Sequence, residues 1–401
     1  MRSHTFDLDF SCHLNHALDA TSWSLPQFNR NSPLELSRRD LSRRIVHGDL
    51  PVFPFCLFAA TGDALARLDS RDGALVQTTI VLGNEHQSRE GHIVTGVMCV
   101  AVDPHDPQRI FVGTFDRGVY RSLDGGDTWE SVGAGMADAR VLAIAISPCE
   151  QVAGRSVVYA GTEPSMLYRS TDDGATWQPS PTLAALPSAS TWSFPPRPHT
   201  HHVRWIALHP ADPRTIYVGI ELGGVMTTRD GGRTWEDRQP GSQHDAHALA
   251  THPLAPERVY EAAGGGVALS EDAGRTWRGV DAGLDRHYTW GLAVDAADPG
   301  LWYISASPGP SLAHRPGGDA QAVIFRKQGE APWQALGGEG TGLARPLRAM
   351  PYALLAPRNR PRTLIAGLKS GELLLTEDAG ETWRTLQTGL PSILALSESA
   401  V

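Results

Sequence analysis

The feature that most constrains this chain is an octapeptide, Ser122-Leu123-Asp124-Gly125-Gly126-Asp127-Thr128-Trp129, that returns along its length. Further copies run Ser170 to Trp177, Thr228 to Trp235, Ser270 to Trp277 and Thr376 to Trp383, each fitting Ser/Thr-x-Asp-x-Gly-x-Thr-Trp. These are the parts of a tight hairpin. An aspartate accepts hydrogen bonds from N–H groups a few residues on, and glycine supplies the positive φ that other residues resist. Hydroxyls at the first and seventh positions hold the remaining polar groups, and the tryptophan packs beneath the turn. Asp124, Asp172, Asp230, Asp272 and Asp378, with Trp129, Trp177, Trp235, Trp277 and Trp383, are therefore expected to be structural.

Spacing turns the repeat into a fold. The tryptophans at 129, 177, 235, 277 and 383 stand 48, 58, 42 and 106 residues apart. A worn copy, Arg326 to Trp333, divides the last interval into 56 and 50, and Asp69 to Val76 reads as another eroded turn upstream. Units of this length hold four short strands each, and seven such units make a ring. The expected fold is all-β, a seven-bladed β-propeller of four-stranded blades. In the first blade, residues 55–61, 64–68 and 74–80 read as the second, third and outer strands. The missing inner strand is expected from the surplus apolar run Pro391 to Leu396, so that the C-terminal strand closes the ring and removes an open edge.

The octapeptide resembles the Asp-box, or BNR, repeat of sialidase-like β-propellers. Over residues 51–401 these turns combine with Pro/Asp turns such as His209-Pro210-Ala211-Asp212-Pro213. That combination resembles the photosystem II stability/assembly-factor-like BNR proteins, whose plant and cyanobacterial members chaperone a membrane complex. The resemblance implies a propeller used as a binding or assembly module.

Composition narrows the classes. A net charge of −9 gives no general attraction to nucleic acid, and no apolar run approaches the roughly 20 residues of a membrane span. Cys12, Cys56, Cys99 and Cys149 lack metal-ligand spacing and an obvious pairing, and the two that sit in apolar runs read as reduced core residues. The start, Met1 to Asp7, lacks the apolar core of a secretory signal, so a cytoplasmic location and a monomer are expected. Residues 1–50 stand outside the repeat and read as a poorly ordered extension, leaving 51–401 as the propeller domain.

The two faces of such a disc differ. One carries the octapeptide turns and the Pro/Asp turns, where His209 and His252 serve turn chemistry. The other carries loops that turns do not explain: His199 to Trp205, Gln243 to His247, Arg286 to Trp290 and Arg345 to Tyr352, with Glu163 and Glu221 on the neighbouring loops. Inner strands converge on the channel, so His199, His201, His202, Arg204, Glu221, His244, Asp245, His247, Arg286, His287, Tyr288, Arg348 and Tyr352 are candidates for one binding depression. The long connector from Pro179 to His199 is expected beside it as a partial lid carrying Trp192.

Three chemistries suit that set. A metal reading takes His199, His201, His202, His244 and His247, but no fixed ligand spacing supports it, so no metal and no cofactor are expected. A hydrolase reading, sialidase-like and acting on an acidic sugar, takes Arg204, Arg286 and Arg348 as carboxylate clamps. It then needs Tyr288 or Tyr352 as nucleophile and Glu221 or Asp245 as acid/base partner. The sialidase Phe/Tyr-Arg-Ile-Pro start is absent, however, and seven units exceed that family's usual six. The reading preferred is a binding module for a protein or carbohydrate ligand at the propeller mouth.

Overall fold

The computed structural model describes residues 43–45, 55–71, 74–80, 82 and 96–399. It is a seven-bladed β-propeller built of antiparallel four-stranded blades. Blade 2 shows the plan, from the channel outward: Val97–Val102, Ile110–Thr114, Val119–Ser122 and Glu130–Ser131. Blade 3 repeats it with Val141–Val152, Arg155–Thr162, Leu167–Ser170 and Gln178–Pro179. In blade 4 the strands Val203–Leu208, Ile216–Ile220 and Gly224–Thr228 are followed by a single outer bridge, Thr227 to Glu236. Blade 5 comprises Ala246–His252, Ala255–Ala263, Gly266–Ser270 and Arg278–Gly279. Blade 6 comprises Tyr288–Val294, Leu301–Ser307, Val323–Gln328 and Gln334–Ala335. Blade 7 comprises Pro351–Leu355, Leu364–Leu368, Leu373–Thr376 and Arg384–Gln387.

Blade 1 joins the two ends of the chain. Cys56–Ala60, Leu65–Arg71 and Ala74–Ile80 are its second, third and outer strands, and Ala395–Ser399 supplies the inner one. The closing strand therefore begins four residues later than the first residue expected, because Ile393 turns into the core beside Gly367. A fifth strand, Arg43–Ile45, pairs outside Leu75 to Gln77 and covers the outer edge of this blade. The rest of the N-terminal segment, Cys12 and the Asp72-Gly73 tip lie outside the described residues.

Packing between blades follows from a register rule in the second strands. Phe58, Phe111, Tyr159, Tyr217, Tyr260 and Tyr303 occupy equivalent places, each 2 % exposed or less. These large rings fill the gap where adjacent blades diverge. Two residues further along the strand the sequence turns small, and the next blade comes close. A Cβ on Gly113 would lie 2.5 Å from Cys99 Sγ, and one on Gly161 would lie 2.3 Å from Val203 Cγ1. A ring at one position and a small residue two positions on thus set how closely neighbouring blades pack. Each such ring contributes on the order of 1.5–3 kcal/mol of burial.

The octapeptide turns have the expected chemistry. In the fourth copy, Ser270 Oγ accepts from Gly274 N at 2.8 Å and donates to Asp272 Oδ1 at 2.9 Å. Asp272 Oδ1 accepts from Thr276 N at 2.8 Å, and Oδ2 accepts from the Thr276 hydroxyl at 2.7 Å. The residue before the motif glycine also takes a positive φ, including Asp173 (60°), Ala273 (57°) and Ala379 (65°), which matches a primed hairpin turn. Partial burial works against ionisation of Asp272, but the bonds from Thr276 and Ser270 outweigh it and draw its carboxyl down to about 2. A depressed carboxyl contributes stability above its unfolded value and loses it as pH falls through the folded one. Asp272→Ala should lower stability by roughly 1–2 kcal/mol, read as a reduced urea midpoint, and should weaken the loss of stability between about pH 4 and pH 2. An unchanged midpoint would show that the turn does not depend on the carboxylate.

Candidate functional site

On the face opposite the octapeptide turns, one backbone irregularity recurs near the start of the inner strands. The ladder skips between Val97 and Cys99, Val203 and Trp205, Ala246 and Ala248, Thr289 and Leu292, and Pro351 and Ala353. Blade 3 has the same slip at Leu142. A β-bulge leaves one residue out of the ladder and re-aims its side chain. The bulged residues include Met98 and Leu142 in blades 2 and 3, then Arg204, His247, Trp290 and Tyr352 in blades 4 to 7. Two of these six residues are apolar, and the four in blades 4 to 7 bring charge and aromatic rings to the mouth.

These side chains form a continuous network. The Arg204 guanidinium lies 4.8 Å from the Trp290 ring centroid, with its Nε 3.8 Å from Glu221 Oε2. His202 Nε2 donates to Glu221 Oε2 at 3.0 Å. Trp290 stacks near His247 (4.4 Å), His314 (4.8 Å) and Tyr352 (5.4 Å). His314 bridges two phenols, with its Nε2 2.6 Å from the Tyr288 hydroxyl and its Nδ1 2.7 Å from that of Tyr352. Asp245 closes the group, accepting from Leu222 N at 3.2 Å and standing 3.3 Å from His247 Nε2. On the blade 3 side, Glu163 is fully enclosed and holds Arg197 (2.8 and 2.5 Å) and Arg140 (3.1 Å). Arg197 lies over both Phe115 and Phe194.

The charge states follow from this packing. Burial opposes ionisation of Glu221, yet the His202 hydrogen bond and the neighbouring His202, His247 and Arg204 hold it at about 2. Glu163 is likewise lowered against its burial by Arg197, His202 and Arg140. Burial first, then the charges of Glu221 and Asp245, pushes the Tyr288 phenol up, and burial raises Tyr352. Burial, with His247 and Lys369 nearby, presses His314 down to about 4. Glu261 is the carboxyl in this region that stays protonated, pushed up to about 8 by burial, but it is sealed beneath Gln243, whose N–H it accepts at 3.0 Å.

Of the residues expected at the site, His202, Arg204, Glu221, Asp245, His247, Tyr288 and Tyr352 meet in this network. His201 stands beside it, edge-on to Trp192 at 5.4 Å. His199, His244, His287 and Arg348 are exposed, because they sit on loop tips before the strand register begins. Arg286 is spent on Asp285 and the Gln321 carbonyl. Trp192 is a core residue, 6 % exposed, and the connector instead contributes Phe194 and Arg197 to the mouth. His314 was missed. It lies in residues 308–322 between the second and third strands of blade 6, and the unusual length of that loop was its signal.

A second concavity competes by size. A groove of about 670 Å³ lies between blades 3 and 4 on the turn side, lined by Arg169, Ser180, Arg214 and Arg233 among others. Its lining groups are largely occupied with one another, as in Arg169 to Glu150 at 2.5 Å and the Ser180 hydroxyl donating to Gly232 O at 2.6 Å. At the mouth, by contrast, His201 Nδ1, His202 Nδ1, His247 Nε2 and Trp290 Nε1 have no hydrogen-bond partner among the described residues.

Fold and site together define a seven-bladed β-propeller with a charged aromatic mouth. Similar solved structures include an ancestral GH74 enzyme (TM-score 0.55, 16 % identity, 75 % of this chain and 38 % of that one). The GH74 xyloglucanase of Xanthomonas campestris is also similar (0.53, 19 %, 73 % and 45 %). A third is YCF48 bound to D1 peptide (0.50, 17 %, 72 % and 82 %). The chain spans less than half the length of the two GH74 enzymes. No family model matches the sequence, and no curated protein matches it either. Among the described residues no helix is long and apolar enough to cross a membrane.

The His314 bridge makes a pH prediction. Its folded value of about 4 lies below the roughly 6.5 of an unfolded histidine, so the unfolded chain takes up a proton that the folded chain refuses. This stability is fully present above about pH 6.5 and is lost as pH falls toward 4. His314→Gln keeps a donor and an acceptor between the phenols, and it should flatten the decline of melting temperature across that window. An identical decline in variant and parent would remove His314 as its source.

Proposed function

We propose that this chain is a binding or assembly module of the BNR/Asp-box type that takes a protein segment at the mouth opposite its turns. The observation that carries this reading is the set of enclosed but unpartnered ring nitrogens on His201, His202, His247 and Trp290, set in a wall of aromatic rings and fixed charges. Orphaned donors and acceptors of this kind cost stability unless something pairs them. A peptide brings both backbone N–H and C=O groups, together with side chains that suit Trp290, Tyr352 and the Arg204 guanidinium. The similarity to YCF48, a structure solved with a bound peptide, is one of fold, and it agrees with a peptide as the ligand.

The alternative, a sialidase-like hydrolase acting on an acidic sugar, needs an acid that is protonated at working pH and a tyrosine that ionises readily. Glu163 and Glu221 are both held ionised, and Tyr288 and Tyr352 are both made harder to ionise. Each feature weighs against turnover. The GH74 likenesses are of fold alone.

The test is selection of peptides from a displayed library on the full-length chain, followed by affinity measurement. Arg204→Ala and Trp290→Ala should each weaken the selected peptides at least tenfold, on the order of 1.4 kcal/mol or more, with melting close to the parent. Binding untouched by both substitutions would overturn the reading. So would cleavage of a glycoside reporter that disappears in Glu221→Gln.

A further inference from the structure

The strongest unexplained feature of the mouth is the convergence of Glu221, Asp245 and His247 on one point. His247 is 1 % exposed, and its Nδ1 lies 2.6 Å from the carbonyl oxygen of Thr289. A carbonyl only accepts, so a ring proton sits on Nδ1, and Nε2 is the nitrogen turned toward the carboxylates. That nitrogen is buried, has no hydrogen-bond partner among the described residues and stands 3.3 Å from Asp245 Oδ2. One donor atom each from His247, Asp245 and Glu221 lies within 4.8 Å of the others. Two carboxylates and an imidazole nitrogen turned toward one point are a donor set that a divalent cation can bridge.

The surroundings are those of a prepared ligand set. An Nδ1–H bond to a backbone carbonyl is the arrangement that orients a metal-binding histidine through its other nitrogen. The His247 ring is held in place by Trp290 at 4.4 Å and Tyr288 at 5.1 Å. Asp245 is oriented by Leu222 N and Glu221 by His202 Nε2, so both carboxylates have a bonded oxygen and a fixed direction. The 3.3 Å between His247 Nε2 and Asp245 Oδ2 also equals the edge of a tetrahedron with metal bonds of roughly 2.0–2.1 Å.

We infer that Glu221, Asp245 and His247 form a site for a divalent transition cation of the zinc class, with solvent or a ligand group as the fourth donor. The imidazole nitrogen selects against magnesium and calcium, which prefer all-oxygen shells. This inference does not rest on the partner reading, and its test contains no peptide.

The experiment uses the untagged full-length chain after chelator treatment and dialysis. Zinc titrated by calorimetry should give one saturable site per chain and raise the melting temperature, while magnesium and calcium should do neither. Cobalt should give a saturable visible band of tetrahedral type. Asp245→Asn, which keeps the acceptor for Leu222 N, and Glu221→Gln should each weaken zinc at least tenfold. His244→Ala, on the exposed neighbouring loop, should leave binding unchanged. Absence of a saturable cobalt band in the parent chain overturns the inference without reference to any variant. Zinc affinity equal to the parent's in both carboxylate variants overturns it as well.

Discussion

The structure depends on one backbone ladder between the two ends of the chain. Cys56 pairs with Ser399 and Ala60 with Ala395, and this antiparallel contact makes the last strand the inner strand of the first blade. Without it, blade 1 would present an open inner edge and the ring would have no reason to stay closed. Closure also sets orientation. Once every inner strand runs the same way through the channel, all octapeptide turns fall on one face. All loops leading into inner strands fall on the other. The mouth residues, far apart in sequence, become neighbours as a consequence.

The two faces use their polar groups differently. On the turn face the aspartates, serines and threonines satisfy one another within eight residues, and His209 Nδ1 accepts from Ala211 N and Asp212 N. His252 similarly links the Asp295 carbonyl and Leu254 N. At the mouth, charge is concentrated where burial makes it costly. Glu163 is enclosed between two arginines, and Glu221 stands among His202, His247 and Arg204. Buried ion clusters of this kind add little net stability relative to apolar packing. A scaffold that already holds its shape by ring closure and interblade aromatics tolerates that expense, and departures from apolar packing are what a functional surface leaves behind.

Much of this was legible from the residues, and the reason is periodicity. Five octapeptides and their spacing specify seven blades, and the shared direction of the inner strands brings the loops that lead into them to one mouth. What was not legible lacks a period. The bulge that turns out Arg204, His247, Trp290 and Tyr352 leaves no composition signal, because any residue can occupy it. His314 sits in a non-repeating insertion, and nothing in the sequence says that it reaches back to Tyr288 and Tyr352. Arg43–Ile45 lies in a stretch with no repeat, yet it extends blade 1 by backbone pairing alone. His199 and His201 lie before Val203, where the strand begins, so strand alternation does not fix which way they face.

The central claim is that the bulged mouth, and not the turn face, meets a partner. Hydrogen exchange of the full-length chain, with and without a peptide selected on it, tests this directly by mapping where backbone amides are slowed. The account predicts added protection in segments around Glu163, Arg197 to Arg204, Glu221, Asp245 to His247, Tyr288 to Trp290, His314 and Tyr352. Protection confined to the octapeptide turns, or to the groove between blades 3 and 4, would contradict it.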